Sequence, residues 1–323
     1  MDAPSTRLAL GVDLGGTNAR VALVSGAGEV LRQDDTATAG LATPADLADW
    51  LARRLDAWPE RPDDLSGVGL GVPNGHHGRG TIEHPPNLPW PGVSPLAALV
   101  TERTGLPAVL DNDANVAALG EALFGAGRGE DHFALVTLGT GIGGGIVIDG
   151  RVLRGADGFA AEVGHLLVQP GGRTCGCGRA GCAEKYASVT GLLITVREGL
   201  AAGAPGHEAF GDGSCLDDPR TAGALVGRLA GEGNPLALAA YDLAAEMLAR
   251  ALADLCSVTA PGRIVVAGGL TQAGDLFLGP LATKLEACLL PCHRGRVALL
   301  PSSLPAGHAA LLGAAGLVLG EAP

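Results

Sequence analysis

Two stretches of this 323-residue chain can be laid over each other: ALGVDLGGTNARVALVS, Ala9 to Ser25, and FALVTLGTGIGGGIVID, Phe133 to Asp149. Each reads as an apolar strand, a short turn of glycine and threonine, and a second apolar strand, which is the pattern of a β-hairpin. Finding that unit twice predicts two structurally related halves. Turns of this kind leave backbone N–H groups unblocked by side chains and suit the oxygens of a phosphate. Neither turn carries the lysine of a GxxxxGK[ST] loop. GTGIGG, Gly139 to Gly144, matches GxGxxG, but a strand follows it where a dinucleotide fingerprint requires a helix.

After each hairpin the pattern alternates between strand and helix. ADLADWLARRLDA, Ala45 to Ala57, has helical spacing, SGVGLGVP reads as a buried strand, and SPLAALVTERTG as a helix closed by Gly105. PAVLDN is a strand and ANVAALGEALFGAG a helix. Ala239 to Val258 reads as one long helix, RIVVAGGL as a buried strand and HAALLGAAGLVLG as a terminal helix. Such alternation predicts an α/β architecture of mixed sheets covered by helices. We divide it into an N-terminal lobe over 1–120 and a C-terminal lobe over 121–323, with the terminal helix near 308–320 packing back on the first.

Hydrophobic residues make up 47% of the chain, enough for a sizeable core, whereas aromatics are only 3%, so that core must be built from Leu, Val and Ala. The formal net charge of −12 without a basic patch argues against a nucleic-acid partner. The N-terminus runs into a strand pattern without the features of a signal peptide, and no apolar run reads as a membrane span, so the expected location is the cytoplasm with no membrane partner.

Seven cysteines without an export signal speak against a disulfide framework. Three of them, Cys175, Cys177 and Cys182, crowd into GHLLVQPGGRTCGCGRAGCAEKY, with His165 upstream. The C-x-C spacing is not the CxxC of a redox site. The four residues instead supply a Cys3His set of the kind that holds tetrahedral zinc with no open coordination position, a structural site. Three free thiols in a loop is the competing reading. Cys256 reads as core. Cys288, Cys292 and His293 lack an evident fourth ligand.

The chain resembles the ROK family of sugar kinases and repressors through DLGGTNAR (Asp13–Arg20), PNLPW (Pro86–Trp90), LDNDANVAALGE (Leu110–Glu121), TLGTGIGGGI (Thr137–Ile146), AEVGH (Ala161–His165), CGCGRAGCAEKYAS (Cys175–Ser188) and VAGGL (Val266–Leu270), in the family's order. The resemblance implies a duplicated actin-like ATPase (ribonuclease H-like) fold of two lobes with a cleft between them, and a homodimer or homotetramer. The first hairpin begins about ten residues in, with no room for the DNA-binding helix-turn-helix of the family's repressors, so the expectation is the kinase branch.

The same resemblance implies the roles. Asp113 would be the general base that takes the proton of a sugar hydroxyl as it attacks the γ-phosphate; read from the residues alone, Asp113 is equally a helix N-cap. Asn87, Asn112, Glu162, His165 and Glu184 would join Asp113 in holding a hexose, most readily glucose, while His165, Cys175, Cys177 and Cys182 bind zinc. A zinc-bound imidazole keeps one nitrogen free for a sugar hydroxyl. Gly15, Gly16 and Thr17 from the first turn, and Thr140, Gly141 and Gly143 from the second, would meet the phosphates of ATP. Asp13 would serve Mg2+, and Gly268 and Gly269 would lie against the adenosine. Kinases for N-acetylmannosamine, N-acetylglucosamine and fructose share most of this set. A sugar-sensing binding protein without turnover is the rival of a different class. Residues 199–235 carry no assignable role.

Overall fold

The structure is a computed structural model, and it describes residues 7–58 and 65–319. In chain order the elements are β1 (Leu8–Leu14), β2 (Asn18–Ser25), β3 (Val30–Ala37), α1 (Pro44–Ala57) and β4 (Leu65–Val72). Three short strands follow, β5 (Gly75–His76), β6 (Thr81–Glu83) and β7 (Val93–Ser94), then α2 (Leu96–Thr104), β8 (Ala108–Asn112) and α3 (Asp113–Phe124). The second series is β9 (Phe133–Leu138), β10 (Ile142–Ile148), β11 (Arg151–Val152), α4 (Glu184–Ala187), α5 (Val189–Ala201), α6 (Pro219–Gly231), α7 (Pro235–Thr259), β12 (Arg263–Gly268), α8 (Asp275–Cys288), β13 (Ala298–Pro301) and α9 (His308–Leu319).

The duplication seen in the two hairpins extends to whole sheets. One sheet runs β3-β2-β1-β4-β8 and the other β11-β10-β9-β12-β13. Each is therefore ordered third, second, first, fourth, fifth by its own strands. β1 pairs antiparallel with β2 and parallel with β4, and β4 parallel with β8. The other sheet has an antiparallel β10–β11 pair and a parallel β12–β13 pair.

Two compact units emerge from the packing. The first takes in 1–135, 145–161 and 302–323, and the second 136–144 and 162–301. In the first, α1 starts where Thr43 and Asp46 form a capping box and Pro44 supplies the preset φ of a first helical residue. Its Leu47, Trp50, Leu51 and Leu55 are buried in the core with Leu10, Val12 and Leu70 of the sheet. Each fully buried leucine contributes about 1.5–3 kcal/mol. α2 stops at Gly105, which adopts the left-handed conformation with φ 71°.

Helix α9 packs against β1, β4 and α3, nearly backbone to backbone. A methyl group on Gly11 of β1 would overlap the Leu311 carbonyl oxygen, and one on Gly69 of β4 would overlap that of Ala314. One on Gly120 of α3 would strike the Ala309 carbonyl, and one on Gly313 that of Val116. Glycine content in this unit is thus a packing requirement. Glu121, fully buried on α3, receives the Ser302 hydroxyl and the Ala126 N–H (2.7 Å), fixing where the returning chain rejoins α3.

In the second unit, Asn234 caps the 25-residue α7, accepting a hydrogen bond from the Ala237 N–H, with Pro235 at the first helical position. α7 packs on α8 and α5. Cys256 is buried on it, and burial pushes its thiol up to about 11. Among the described residues no helix is long and apolar enough to cross a membrane.

Candidate functional site

The first turn, Gly15 to Thr17, joins strands whose last pairs are Asp13 with Arg20 and Leu14 with Ala19. It is closed by the Gly15 N–H donating to the Asn18 carbonyl (2.9 Å) and held from behind by Thr38, whose hydroxyl donates to the Gly15 carbonyl (2.7 Å). Asn87 abuts the turn: a Cβ on Gly16 would come to 2.9 Å from the Asn87 Cβ. The Asp13 carboxylate is ion-paired with Arg20. Burial raises its pKa above the usual value, outweighing the opposing guanidinium.

The strand–helix junction β8–α3 carries Asn112 and Asp113. Asn112, not Asp113, is the N-cap: its side-chain oxygen accepts the Ala114 N–H at 2.9 Å. Asp113 is the first helical residue, exposed, with Oδ1 at 2.8 Å from the same N–H. A carboxylate there also suits the positive end of the helix dipole. The junction is anchored by a residue that sequence reasoning passed over. Asp111, 1% exposed, accepts from Arg154 Nε at Oδ2 (2.7 Å) and from Asn115 Nδ2 (3.0 Å) and the Asn112 N–H (2.8 Å) at Oδ1. Trp90 is core, its indole N–H donating to the Leu41 carbonyl at 2.9 Å.

In the second unit the turn Gly139 to Gly141 is closed more tightly, with the Gly139 N–H donating to the Gly141 carbonyl two residues on (3.0 Å). What lies behind it differs. Glu184 Oε2 accepts the Ile142 N–H at 3.1 Å, and a Cβ on Gly141 would approach that oxygen to 2.5 Å. Gly143 lies on β10, where its carbonyl faces the Thr137 hydroxyl at 3.4 Å.

Glu184 also faces the cysteine loop, 4.0 Å from Cys175 Sγ. His165, Cys175, Cys177 and Cys182 bring one ligand atom each within 4.8 Å of one another, the group of this kind that converges among the described residues. Cys177 Sγ and Cys182 Sγ are 3.6 Å apart, as are Cys175 Sγ and His165 Nδ1. A zinc tetrahedron with arms of ~2.0–2.3 Å has edges of about 3.5–3.8 Å, and these two separations match them. The local backbone explains the convergence. Gly181 has φ 98°, and a Cβ there would overlap the Gln169 carbonyl. Arg173 pins the loop to α4 and α5, donating to the Lys185 carbonyl (2.8 Å) and stacking 4.5 Å from the Tyr186 ring centroid.

The thiols are electrostatically uneven. The backbone N–H of Arg179, then its guanidinium, lower Cys177 to about 6, while burial pushes Cys182 up to about 12. Crowded sulfurs cannot all ionise without a cation among them. With Nδ1 turned to the sulfurs, His165 points Nε2 toward Glu162, 3.9 Å from Oε2, and the Glu162 side chain is 56% exposed.

A cavity of about 570 Å³ opens beside the second turn, within the ~300–1,000 Å³ usual for small-molecule sites. Gly139 and Thr140 line it, with Val189 and Leu192 of α5 and the α6 face of Gly223 and Gly227. Gly269 begins the wall formed with Leu270, Gln272 and Ala273. Gly268 is not part of that lining; its φ is 102°, and a Cβ would come to 2.5 Å from the Leu138 carbonyl oxygen. Helix α6 lies within the segment that sequence reading left without a role.

The duplicated sheets and phosphate-type turns define an actin-like ATPase fold, and comparison with known proteins narrows it. The family profile described as ROK family matches residues 9–321. A glucokinase of Halalkalibacterium halodurans is 38% identical over 297 residues, covering 89% of this chain and 88% of its own. A crystal structure of a ROK family glucokinase from Streptomyces griseus in complex with glucose and AMPPNP matches with a TM-score of 0.81 at 36% identity, covering 97% of this chain and 99% of that one. An N-acetylmannosamine kinase of Escherichia coli is 30% identical over 97% of this chain and 98% of its own. The chain belongs to the ROK family.

Proposed function

We propose that this chain is an ATP-dependent hexose kinase that transfers the γ-phosphoryl group to the 6-hydroxyl of glucose. The observation that carries the reading is the β8–α3 junction: Asn112 takes the capping role, leaving Asp113 as an exposed carboxylate at the start of a helix whose position is fixed by the buried Asp111. Asp113 takes the proton of the attacking hydroxyl, and Asn112 and Asn87 orient the neighbouring hydroxyls. On the second unit, Glu162, His165 Nε2 and Glu184 supply further sugar contacts. The exposed N–H groups of the two glycine turns meet the phosphates, with Thr17 and Thr140 beside them. Asp13 offers one carboxylate, and Mg2+ is usually held by one or two of these plus phosphate oxygens. His165, Cys175, Cys177 and Cys182 would hold zinc, which supplies a structural cross-link that fixes the imidazole and the Glu184 segment. The cavity beside Gly139 takes the nucleoside of ATP.

Glucose is favoured over N-acetylmannosamine because the glucokinase relative is the more similar of the two. N-acetylglucosamine and fructose remain in the acceptor panel. The test is ADP release across that panel, with ATP and polyphosphate as donors. Glucose should give the highest kcat/KM. Asp113→Asn should lower kcat by about 10²–10⁴-fold, the usual contribution of a general base, while sugar binding by calorimetry persists. Sugar binding without ADP release by the unsubstituted protein would identify a sensor instead.

A further inference from the structure

Tyr241 is one of only two tyrosines in the chain. It sits on α7, whose other buried residues are Ala, Leu, Met and Cys. It is 3% exposed and lines the cavity beside the second turn. One side of its ring is packed by the fully buried Phe277, with ring centroids 6.1 Å apart and planes at 59°. Its hydroxyl points to Gly227 of α6, where an added Cβ would sit 3.3 Å from the oxygen. Among the described residues no hydrogen bond to that hydroxyl is formed, and burial alone raises its pKa above the usual value.

The residue is buried but lines the cavity, where a hydroxyl without a protein partner is left for water or a ligand to bond. Phenylalanine would fill the same space against Phe277. The oxygen is therefore surplus to packing, on a residue that lines the cavity. Gly227 leaves room beside the hydroxyl, and Gly223, one turn earlier on α6, lines the same cavity. Of the other polar side chains on the wall, Thr140 lies on the turn assigned to the phosphates, Arg228 donates to Glu232 at 2.6 Å, and Gln272 is exposed.

We infer that the Tyr241 hydroxyl hydrogen-bonds the nucleoside of the phosphoryl donor, making Tyr241 a donor-specificity residue on the glycine-faced wall of α6 and α7. The inference rests on the assignment of this cavity to ATP. A phenol both donates and accepts, so it suits a base edge or ribose that offers ring nitrogens, amino or hydroxyl groups. An inorganic polyphosphate offers none at this depth. The chain is thereby tuned to nucleoside-bearing donors through a contact remote from the phosphates.

The experiment compares the unsubstituted protein with Tyr241→Phe, which keeps the ring and removes one oxygen. Dissociation constants are measured by calorimetry for ATP, for adenosine and for inorganic tripolyphosphate, together with the KM values for ATP and for the sugar. The expected result is a loss of about fivefold for ATP and for adenosine, the value of one net hydrogen bond. Tripolyphosphate affinity and the KM for the sugar should hold steady. Unchanged ATP and adenosine affinities overturn the inference. So does an equal loss for tripolyphosphate, which would reveal a general distortion of the wall. An unsubstituted protein that binds no ATP removes the nucleotide assignment itself, an outcome visible before any variant is made.

Discussion

Arg154→Met tests whether the Asp113 junction is held by charge. The Asp111 side chain is 2% exposed and that of Arg154 31%. Once the guanidinium is removed, the partner left to Asp111 Oδ2 among the described residues is His77 Nδ1, 3.9 Å away, because Asn115 and the Asn112 N–H both bind Oδ1. Breaking a buried ion pair by deleting one partner costs about 3–5 kcal/mol. The two surviving donors and the partial exposure of Arg154 place this case at the lower end, about 3 kcal/mol. That corresponds to a fall of roughly 6–12 °C in Tm for a unit of 150–250 residues. All three tryptophans, Trp50, Trp58 and Trp90, lie in the first unit, so tryptophan fluorescence during urea or thermal unfolding follows the relevant transition. Asp111→Asn should cost only about 1 kcal/mol, since Arg154 can turn toward water. The double variant should be more stable than Arg154→Met alone, because no charge is stranded. A displaced Asp113 should also lower kcat by at least about tenfold. Stability within about 0.5 kcal/mol of the parent for Arg154→Met, or strict additivity in the double variant, would refute the reasoning.

Three further outcomes follow from particular contacts. Gly69→Ala should lose at least about 3 kcal/mol, the upper range for overpacking, because the Ala314 carbonyl cannot rotate away; Gly40→Ala, with nothing within 4 Å, should be neutral or slightly stabilising, and equal Tm values for the two would contradict the close approach of α9. Cys177→Ser should reduce bound zinc, read by metal analysis, and weaken sugar binding; a full complement of metal in that variant would show that Cys177 is not a ligand. Asp13→Asn should gain stability relative to the parent as pH rises from below 3.8 to neutrality. The folded-state pKa of Asp13 is raised, so its contribution is greatest at low pH and is lost as pH rises through that value, a loss asparagine does not share. A difference that shrinks over the same range would mean that the Arg20 pair outweighs burial.

Local signals carried much of the fold. The hairpins, the Gly105 helix stop and the β8–α3 boundary are each written in a few adjacent residues, and the structure places them at Leu8–Ser25, φ 71° and Asn112. The cysteine cluster was legible for the same reason, since its spacing and glycines are local. The capping alternative for Asp113 fell only when geometry showed Asn112 in that position. What sequence could not show were partners supplied from far along the chain. Arg154 meets Asp111 across 43 positions. Gly11 and Gly69 look like weak points in strands until α9 arrives against them. Helix α6 carries little chemistry of its own, and its glycines become meaningful only as a cavity wall.

The duplicated turns then raise the question of how two copies of one backbone device come to do different work. Each is closed by the N–H of its first glycine, but over different spans: Gly15 N–H reaches the Asn18 carbonyl and Gly139 N–H the Gly141 carbonyl, one residue shorter. Their surroundings differ as well. In the overlay of the two hairpins, Asp13 corresponds to Thr137, so only the first copy carries a carboxylate on the strand leading into the turn. Behind the first turn stand Thr38 and Asn87; behind the second stands Glu184, reached from the cysteine loop. The second opens onto a cavity of about 570 Å³, which Gly139 and Thr140 line. On the proposed reading backbone N–H groups would supply a generic phosphate contact in either half, and the side chains behind each turn would give it its separate task. Exchanging Asp13 for threonine and Thr137 for aspartate would keep both hairpins and still misplace the charge, which is why the repeat alone could announce a phosphate-handling fold but not which half holds which end of the reaction.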